Sequence, residues 1–295
     1  MDMRLLGGRA RLGGAAWVRG MILAIAMVLA PAAACAQPLA GPRLEVTAGR
    51  WWSPMKLTYV NDYLKCSVDY GETTGSFQAT DIRLRAGEGE TPLLASCGPA
   101  MLRLGKEAQF PRVARKAGGF SISVAPVPAQ DAALPAAWKT EGEVFFDSNA
   151  AEMGIGEAIA VTKPGAADIE SFGLVTHREA PVTGIWLFDG AVKRPELRKD
   201  ETLGEPGTAL ALIGPKGITV VSLDRQATSP ELLVKPPRIV IRAGDGQRSC
   251  LYVFSVTTQD KQAFRAQWRV RLLPPDTPEE EVTRLLSLNT QGGRK

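Results

Sequence analysis

Histidine is nearly absent from this sequence: among 295 residues there is one, His177. A single imidazole cannot form a metal site of several histidines, and a serine or cysteine nucleophile would depend on this one base. The sequence also lacks the Gly-x-Ser-x-Gly turn that carries the nucleophile of many hydrolases. His177 stands beside Arg178 and Glu179, which is typical of an exposed loop. The sequence therefore predicts no catalytic residue, no metal ligand and no cofactor, and a protein that is not an enzyme.

Long hydrophobic runs are also scarce. The apolar run from Met21 to Ala34 falls short of the roughly 20 residues that span a bilayer. It ends at Ala34-Cys35-Ala36 and follows four arginines, Arg4, Arg9, Arg11 and Arg19. This pattern predicts a signal peptide over residues 1–36 that is cleaved after Ala36. The mature chain is then periplasmic or secreted and keeps no integral membrane segment.

Two alternatives concern this leader. The apolar run could instead be a short buried helix or a retained anchor. Cys35 could also be lipidated, as in bacterial lipoproteins. We favour plain cleavage, because Ala32 stands where lipoprotein signals normally have a larger aliphatic residue.

The mature chain has almost no net charge once the leader is removed. Residues 1–36 contain four of the 35 basic residues and one of the 31 acidic residues, which leaves 31 basic and 30 acidic side chains. The basic character of the full sequence therefore belongs mostly to the leader. The mature chain is not expected to bind nucleic acid.

Cysteine is limited to four positions, Cys35, Cys66, Cys97 and Cys250. No two of them are close enough in sequence to indicate a zinc site. An oxidising compartment favours a disulfide, and the three cysteines after the leader allow three single pairings. We expect Cys66 to pair with Cys97, because both lie in the first half beside apolar, strand-like sequence. Cys250 is expected to be a buried small apolar residue.

Short apolar segments separated by glycine, proline and charged residues indicate an all-β fold. Over residues 37–126 these segments follow one another regularly, which is typical of a sandwich or barrel. Residues 127–140 are poor in charge and in bulky apolar groups and predict a linker, the alternative being a surface loop within one domain. Residues 141–276 predict a second β domain, and residues 277–295 a C-terminal helix and tail.

The clearest strand is Phe264 to Leu272, in which five apolar residues alternate with polar ones. An extended chain sends the two sets to opposite faces, so this strand has one buried face and its arginines face solvent. Upstream, Ile239–Ile241 and Leu251–Val256 are rich in β-branched and aromatic residues and flank the turn Gly244-Asp245-Gly246. The three segments predict three successive strands.

Particular positions in this region match a known pattern. They are Pro236, Pro237, Ile239, Ile241 and Gly244 in the first element, and Asp260, Phe264, Trp268, Leu272 and Pro274 in the second. Residues 231–275 thereby resemble the later strands of the first immunoglobulin-like domain of periplasmic pilus-assembly chaperones, the PapD-like and colonisation-factor-type proteins. The resemblance implies immunoglobulin-like β-sandwich domains and no catalysis.

The same resemblance implies a function. Such chaperones bind a pilus or fimbrial subunit that lacks its last strand and lend it one by β-strand addition. The implied partners are a pilus subunit and an outer-membrane usher. The donor strand would follow Pro275, and its candidate subunit-binding residues are Val282, Leu285, Leu286 and Leu288.

The residues after Pro275 also match the start of a helix. Thr277 supplies a cap, Pro278 takes the first helical position, and Glu279 to Glu281 place negative charge near the positive end of the helix dipole. The sequence leaves helix and donor strand open. It also leaves open two other functions for the chain: a pilus subunit, adhesin or envelope accessory binding protein, and an exported hydrolase.

Overall fold

The computed structural model describes residues 42–47, 56–71, 76–87, 89–100, 112–116, 118–124, 137–161, 164–188, 192–193, 203–244, 246–258 and 262–288. The chain divides into two units, Met1–Ala40 and Gly41–Lys295. The predicted signal peptide and Cys35 belong to the first unit and lie outside the described residues, so cleavage and export stay predictions. Within the described ranges, no helix is both long and apolar enough to cross a membrane.

The described strands form two nine-stranded antiparallel sheets. In spatial order the first sheet contains β1 (Arg43–Thr47), β2 (Lys56–Val60), β3 (Leu64–Gly71), β4 (Ser76–Ala86), β5 (Gly89–Pro99), β10 (Gly165–Thr176), β17 (Gln247–Thr258), β16 (Arg238–Gly244) and β13 (Leu203–Pro206). The second sheet contains β12 (Val192–Lys193), β11 (Gly184–Phe188), β14 (Ala209–Gly214), β15 (Gly217–Leu223), β18 (Gln262–Leu273), β9 (Glu152–Val161), β8 (Ala137–Asp147), β7 (Gly119–Val124) and β6 (Arg112–Lys116). A 3₁₀ helix, Pro230–Leu233, and an α-helix, α1 (Glu279–Leu288), complete the described elements.

The two sheets pack face to face around one hydrophobic core. Inward-facing side chains of both sheets contribute to it, and burial alternates along strands such as β9 and β18. Tyr59 of the first sheet stacks on Phe146 of the second, with ring centroids 4.4 Å apart. Trp268 of the second sheet contacts Phe172 and Tyr252 of the first, at 5.5 and 4.4 Å between centroids. The all-β prediction is confirmed.

Strand β18 has the predicted alternation. Phe264, Ala266, Trp268, Val270 and Leu272 are buried, and Arg265 and Arg269 are exposed. The strand lies between β15 and β9 in the middle of the second sheet. The two upstream segments are β16 and β17, which pair with each other in the first sheet. The strands were predicted correctly from local pattern, although their division between two sheets was not.

The predicted division into domains 37–126 and 141–276 does not match the structure. β5 pairs with β10 across the proposed linker, with Gly98 opposite Gly173. β7 pairs with β8, and residues 137–140 of the proposed linker begin that strand. Both sheets therefore combine strands from both sides of the boundary, within the single unit Gly41–Lys295. An immunoglobulin-like domain has about seven to nine strands in all, so the immunoglobulin-like subdivision is not confirmed.

A polar link crosses the core between the sheets. The indole Nε1 of Trp268 in β18 donates to the hydroxyl of Ser171 in β10 at 3.0 Å. The Ser171 hydroxyl in turn donates to the carboxylate of Glu157 in β9. Glu157 is 3% exposed and faces Gly142 and Ala266 on the neighbouring strands. The small neighbours leave room for a carboxylate at an inward position.

Residues 279–288 are helical, so the donor strand considered for this segment is not formed. Val282, Leu285 and Leu286 are buried on the outer face of the second sheet, and Leu288 is the last residue of α1. They pack against residues of β14 and β15, namely Ala209, Ala211, Ile218 and Val220. The Thr277 hydroxyl donates to the carbonyl of Pro274 at 2.8 Å. Three of the four predicted subunit-binding side chains thus serve to hold the helix on its own sheet.

We expect Leu286→Ala to lower the free energy of unfolding by about 2–4 kcal/mol, because it removes a fully buried side chain from the contact between α1 and the sheet. Urea unfolding followed by circular dichroism measures the change. Glu280→Ala, on the exposed face of the same helix, is the matched control and should change stability by at most about 1 kcal/mol, the contribution of one carboxylate to the helix dipole. Equal effects of the two substitutions would show that the helix does not pack as described.

The predicted disulfide between Cys66 and Cys97 is absent, and both residues are buried free thiols. Cys66 lies in β3 and Cys97 in β5, on either side of β4. Strands two positions apart are separated by about 9.5 Å, whereas a disulfide needs Cα atoms within about 7 Å. The Cys97 thiol instead contacts the sulfur of Met153 at 3.7 Å. Cys250 is a buried free thiol as expected.

Burial raises the pKa of the Cys97 and Cys250 thiols from 9.0 to about 12 and that of Cys66 well above 9.0. Because the unfolded chain releases these protons first, their contribution to stability is complete below pH 9 and is lost as the pH rises toward 12.

We therefore predict that native protein does not react with Ellman's reagent at pH 8, and that all three thiols react after unfolding in guanidinium without a reducing agent. Glu231→Cys, which places a thiol at an exposed position of the 3₁₀ helix, provides the positive control for reaction in the folded state. Reaction of Cys250 alone after unfolding would instead demonstrate the disulfide.

Candidate functional site

A cleft of about 850 Å³ opens at one end of the sandwich, and we call it the end cleft. Four chain segments border it: residues 62–63 between β2 and β3, residues 84–87 at the end of β4, residues 149–151 between β8 and β9, and residues 271–274 at the end of β18. The first two segments belong to the first sheet and the last two to the second. The end cleft therefore lies where the two sheets meet.

The side chain of Asn61 fixes the two turns on either side of this cleft. Its Nδ2 donates to the carbonyls of Asp147 and Ala150 in the second sheet, at 2.8 and 3.1 Å. Its Oδ1 accepts from the backbone amides of Tyr63 and Leu64 in the first sheet, at 2.9 and 2.5 Å. Asn61 is 2% exposed. An asparagine amide has two N–H groups and two acceptor positions, and all four are used here.

Neighbouring residues strengthen the same junction. The Tyr59 hydroxyl donates to the carbonyl of Asp147 at 3.0 Å, and burial raises the pKa of this phenol. The carboxylate of Asp147 accepts from the backbone amide of Asn149 at 2.7 Å, which closes the turn between β8 and β9. Arg85 donates from Nη1 to the carbonyl of Asn61, and its backbone amide donates to the carbonyl of Tyr63 at 2.8 Å. The rim of the end cleft is thus held by side chains as well as by strand pairing.

The two arginines in the cleft wall are neutralised by carboxylates. Arg271 donates from Nε and Nη2 to one oxygen of Glu152, the Nε contact being 2.7 Å. Arg85 lies 3.7 Å from Glu90, which also accepts from Lys65 at 2.8 Å. Because Glu152 is largely buried, its pairing with Arg271 is protected from solvent screening. This pair therefore also fixes the end of β18 beside β9.

Two exposed side chains stand at the rim. Tyr63 is 47% exposed, although its backbone amide is held by Asn61, and Asp62 beside it is exposed as well. Asn149 is exposed across the cleft, on the turn of the second sheet. The arrangement provides an aromatic ring, a carboxylate and an amide on rigid supports around an open cavity. In the described part of the chain, no cluster of histidine, cysteine and carboxylate side chains could hold a metal ion.

His177, the residue singled out by composition, lies far from these elements in sequence and forms a turn after β10. Its Nδ1 accepts from the backbone amide of Glu179 at 3.2 Å, and its own amide donates to the carbonyl of Leu93 at 2.9 Å. It does not line the end cleft. These contacts give His177 a role in the turn, as its sequence neighbours suggested.

A smaller depression of about 300 Å³ lies on the outer face of the first sheet. Its floor includes Gly98 and Gly173, which face each other on β5 and β10 and have no side chains to fill the space. Polar groups around it belong to Gln78, Ser96, Ser249 and Arg242. Its smaller volume and the lack of an aromatic side chain in its lining make it the weaker candidate for a binding site.

Sequence reasoning named none of Asn61, Asp62 and Tyr63. A local signal was present, because an asparagine directly after the apolar strand Lys56–Val60 is typical of a turn in which its side chain accepts from amides two and three residues ahead. The other half of the junction could not be seen, since the acceptor carbonyls of Asp147 and Ala150 are more than 80 residues away.

No family model matches the chain, and no curated protein matches it. Several solved structures are similar to the chain. A TPR-domain-containing protein of Parabacteroides distasonis is similar at 7% identity with a TM-score of 0.45, over 75% of this chain and 47% of that protein, so this chain spans about half its length. A galactose mutarotase-related enzyme of Lactobacillus acidophilus is similar at 9% identity with a TM-score of 0.42, over 76% and 99%. An aldose 1-epimerase-like protein of Escherichia coli K12 is similar at 9% identity with a TM-score of 0.41, over 79% and 100%.

The prediction of a pilus-assembly chaperone is wrong. The strand that would be lent to a subunit is the helix α1, packed on its own sheet. The expectation that the chain is not an enzyme is withdrawn, because similarity at these TM-scores neither assigns an activity nor excludes one. The local resemblance of residues 231–275 reflects three well-formed strands, which many β proteins share.

We predict that Asn61→Ala lowers the free energy of unfolding by about 2–4 kcal/mol, because the Ala150 carbonyl and two turn amides lose their side-chain partner and the Asp147 carbonyl loses one of two donors. Asn149→Ala, an exposed asparagine in the opposite turn, is the matched control and should cost less than about 0.5 kcal/mol. Chemical denaturation of the two variants beside the wild type gives the comparison. A small effect at Asn61 would mean that the two sheets are held together at this end by other contacts.

Proposed function

We propose that the chain is an exported protein that binds a carbohydrate in the end cleft. The observation that carries the proposal is Tyr63, a half-exposed aromatic ring at the rim of an 850 Å³ cavity, on a turn that is rigidly held. Export is supported by the leader over residues 1–36, whose arginines, apolar run and small residues have the form of a signal peptide.

The aromatic ring suits one face of a sugar. Sugar rings present apolar C–H groups on their faces and hydroxyl groups at their edges. An aromatic side chain offers a large, rigid apolar surface, and Tyr63 keeps its own hydroxyl as a polar group. A ring that is left half exposed on a fixed turn loses little conformational entropy when it is covered by a ligand.

Polar groups around the ring suit the hydroxyl edges. Asp62 offers acceptor oxygens, and Asn149 offers both a donor and an acceptor from the opposite turn. The cavity volume lies within the range of about 300–1,000 Å³ that is usual for small-molecule sites. A sugar that stacks on Tyr63 can therefore reach polar groups of both sheets.

The experiment is a titration of the mature protein with neutral mono- to trisaccharides of glucose, galactose and mannose, followed by protein NMR. We expect Tyr63→Ala to weaken binding about tenfold, which corresponds to about 1.4 kcal/mol of stacking. Tyr63→Phe keeps the ring and should retain most of the affinity. Val113→Ala removes an exposed apolar side chain of β6 and should have no effect. Sugar spectra recorded over hours in the same tubes would reveal any chemical conversion.

Two results would refute the proposal. One is the absence of binding by every sugar of the panel at millimolar concentration. The other is binding that is unchanged in Tyr63→Ala while the variant remains folded by circular dichroism.

A further inference from the structure

We infer that Asp62 makes the end cleft select neutral sugars against acidic ones. The inference rests on the proposed function, since it concerns which carbohydrates the same cleft accepts. It follows from the distribution of charge around the cavity. The arginines there lie beside carboxylates of the protein, whereas the Asp62 carboxylate has no ion-pair partner among the described residues.

The basic groups that line the end cleft already have partners within the protein. An acidic sugar would normally be bound through arginine, whose planar guanidinium matches a carboxylate. In the end cleft Arg271 already donates two hydrogen bonds to Glu152, whose side chain is 13% exposed. Arg85 is directed to the carbonyl of Asn61 and lies 3.7 Å from Glu90. Arg271 cannot bind a ligand carboxylate without giving up a hydrogen bond to Glu152, and the Nε of Arg85, which has no hydrogen bond in the described ranges, is buried.

The pairing extends behind the wall of the cleft. Arg269, on the same face of β18, donates to Asp224 at 2.6 and 2.9 Å and lies 3.8 Å from Glu152. Glu152 therefore sits between two arginines, and Asp224 satisfies the second of them. Carboxylates and guanidinium groups balance in this wall, so it offers no excess of positive charge to an anion.

Asp62 is a charged group at the rim of the end cleft that has no ion-pair partner in the described segments. Within the part of the chain that the structure describes, its carboxylate has no hydrogen bond and no ion pair, and it is exposed at the rim of the cleft. Its position is fixed by its neighbours, because Asn61 and Tyr63 on either side are held by hydrogen bonds. Asp62 and Tyr63 both line the end cleft, so a sugar stacked on Tyr63 lies near a negative charge whose backbone position is fixed.

The magnitude can be estimated from Coulomb's law. A ligand carboxylate about 6 Å from Asp62, in a partly solvated site, would be repelled strongly enough to weaken binding about tenfold. Salt should reduce this difference, because the screening length falls from about 10 Å at 0.1 M to about 3 Å at 1 M ionic strength. Neutral sugars face no such repulsion and can donate hydroxyl hydrogen bonds to the same oxygens.

The test uses three pairs of probes that differ only at C6: the methyl glycosides of glucose, galactose and mannose, and those of the corresponding uronic acids. Dissociation constants are measured by NMR titration at 0.1 M and 1 M salt. We expect the best neutral probe to bind about tenfold more tightly than its acid at low salt, and the ratio to shrink at high salt. In Asp62→Asn the ratio should fall to about one. Glu231→Gln removes an exposed carboxylate beside the opposite end of β18 and should leave the ratio unchanged.

The outcomes separate the inference from the function on which it rests. If acids bind as tightly as their neutral partners, or if Asp62→Asn leaves the ratio unchanged, the selectivity inference is overturned while carbohydrate binding stands. If no probe binds to the wild type or to Asp62→Asn, both fail together. A ratio that changes equally in Glu231→Gln would assign the selectivity to net charge rather than to Asp62.

Discussion

The amide of Asn61 joins two turns that no strand pairing connects. One belongs to the first sheet and the other to the second, and most of the remaining contacts between the two sheets are made by apolar side chains, which set a distance but not a register. Hydrogen bonds are directional, so four of them on one buried side chain determine how the two sheets are aligned at this end. The shape of the end cleft, and the position of Asp62 and Tyr63 at its rim, follow from that alignment.

A second polar contact acts deeper in the core. The chain of donors from Trp268 through Ser171 to Glu157 crosses from the second sheet to the first and back. Buried polar groups are costly when they lack partners and restrictive when they have them, because few arrangements satisfy them. Together with Asn61, this link provides two fixed points for a sandwich whose other core contacts are largely aliphatic and aromatic.

Local pattern predicted the strands well and their partners poorly. The alternation in Phe264–Leu272 is a property of nine consecutive residues, and it identified β18 and its buried face. The helix start at Thr277-Pro278-Glu279 was likewise predictable, although the threonine hydroxyl donates to the carbonyl of Pro274.

The predicted linker was wrong, because the pairing of β5 with β10 joins residues about 75 positions apart. The predicted Cys66–Cys97 disulfide was wrong for the same reason. Strand β4 lies between the strands that carry the two cysteines, and this strand order could not be predicted from local sequence. The end cleft was missed because its four borders are remote in sequence.

The central place of β18 has a consequence for the order in which the molecule can form. This strand is synthesised after the other seventeen described strands, yet it separates β15 from β9 in the finished sheet. Without residues 262–273, β15 and β9 lack the strand that joins them, so the second sheet is divided into two parts. Sheets closed by such distant pairings form slowly. The second sheet can therefore be completed only when synthesis has passed residue 273, and the chain stays incompletely folded until then.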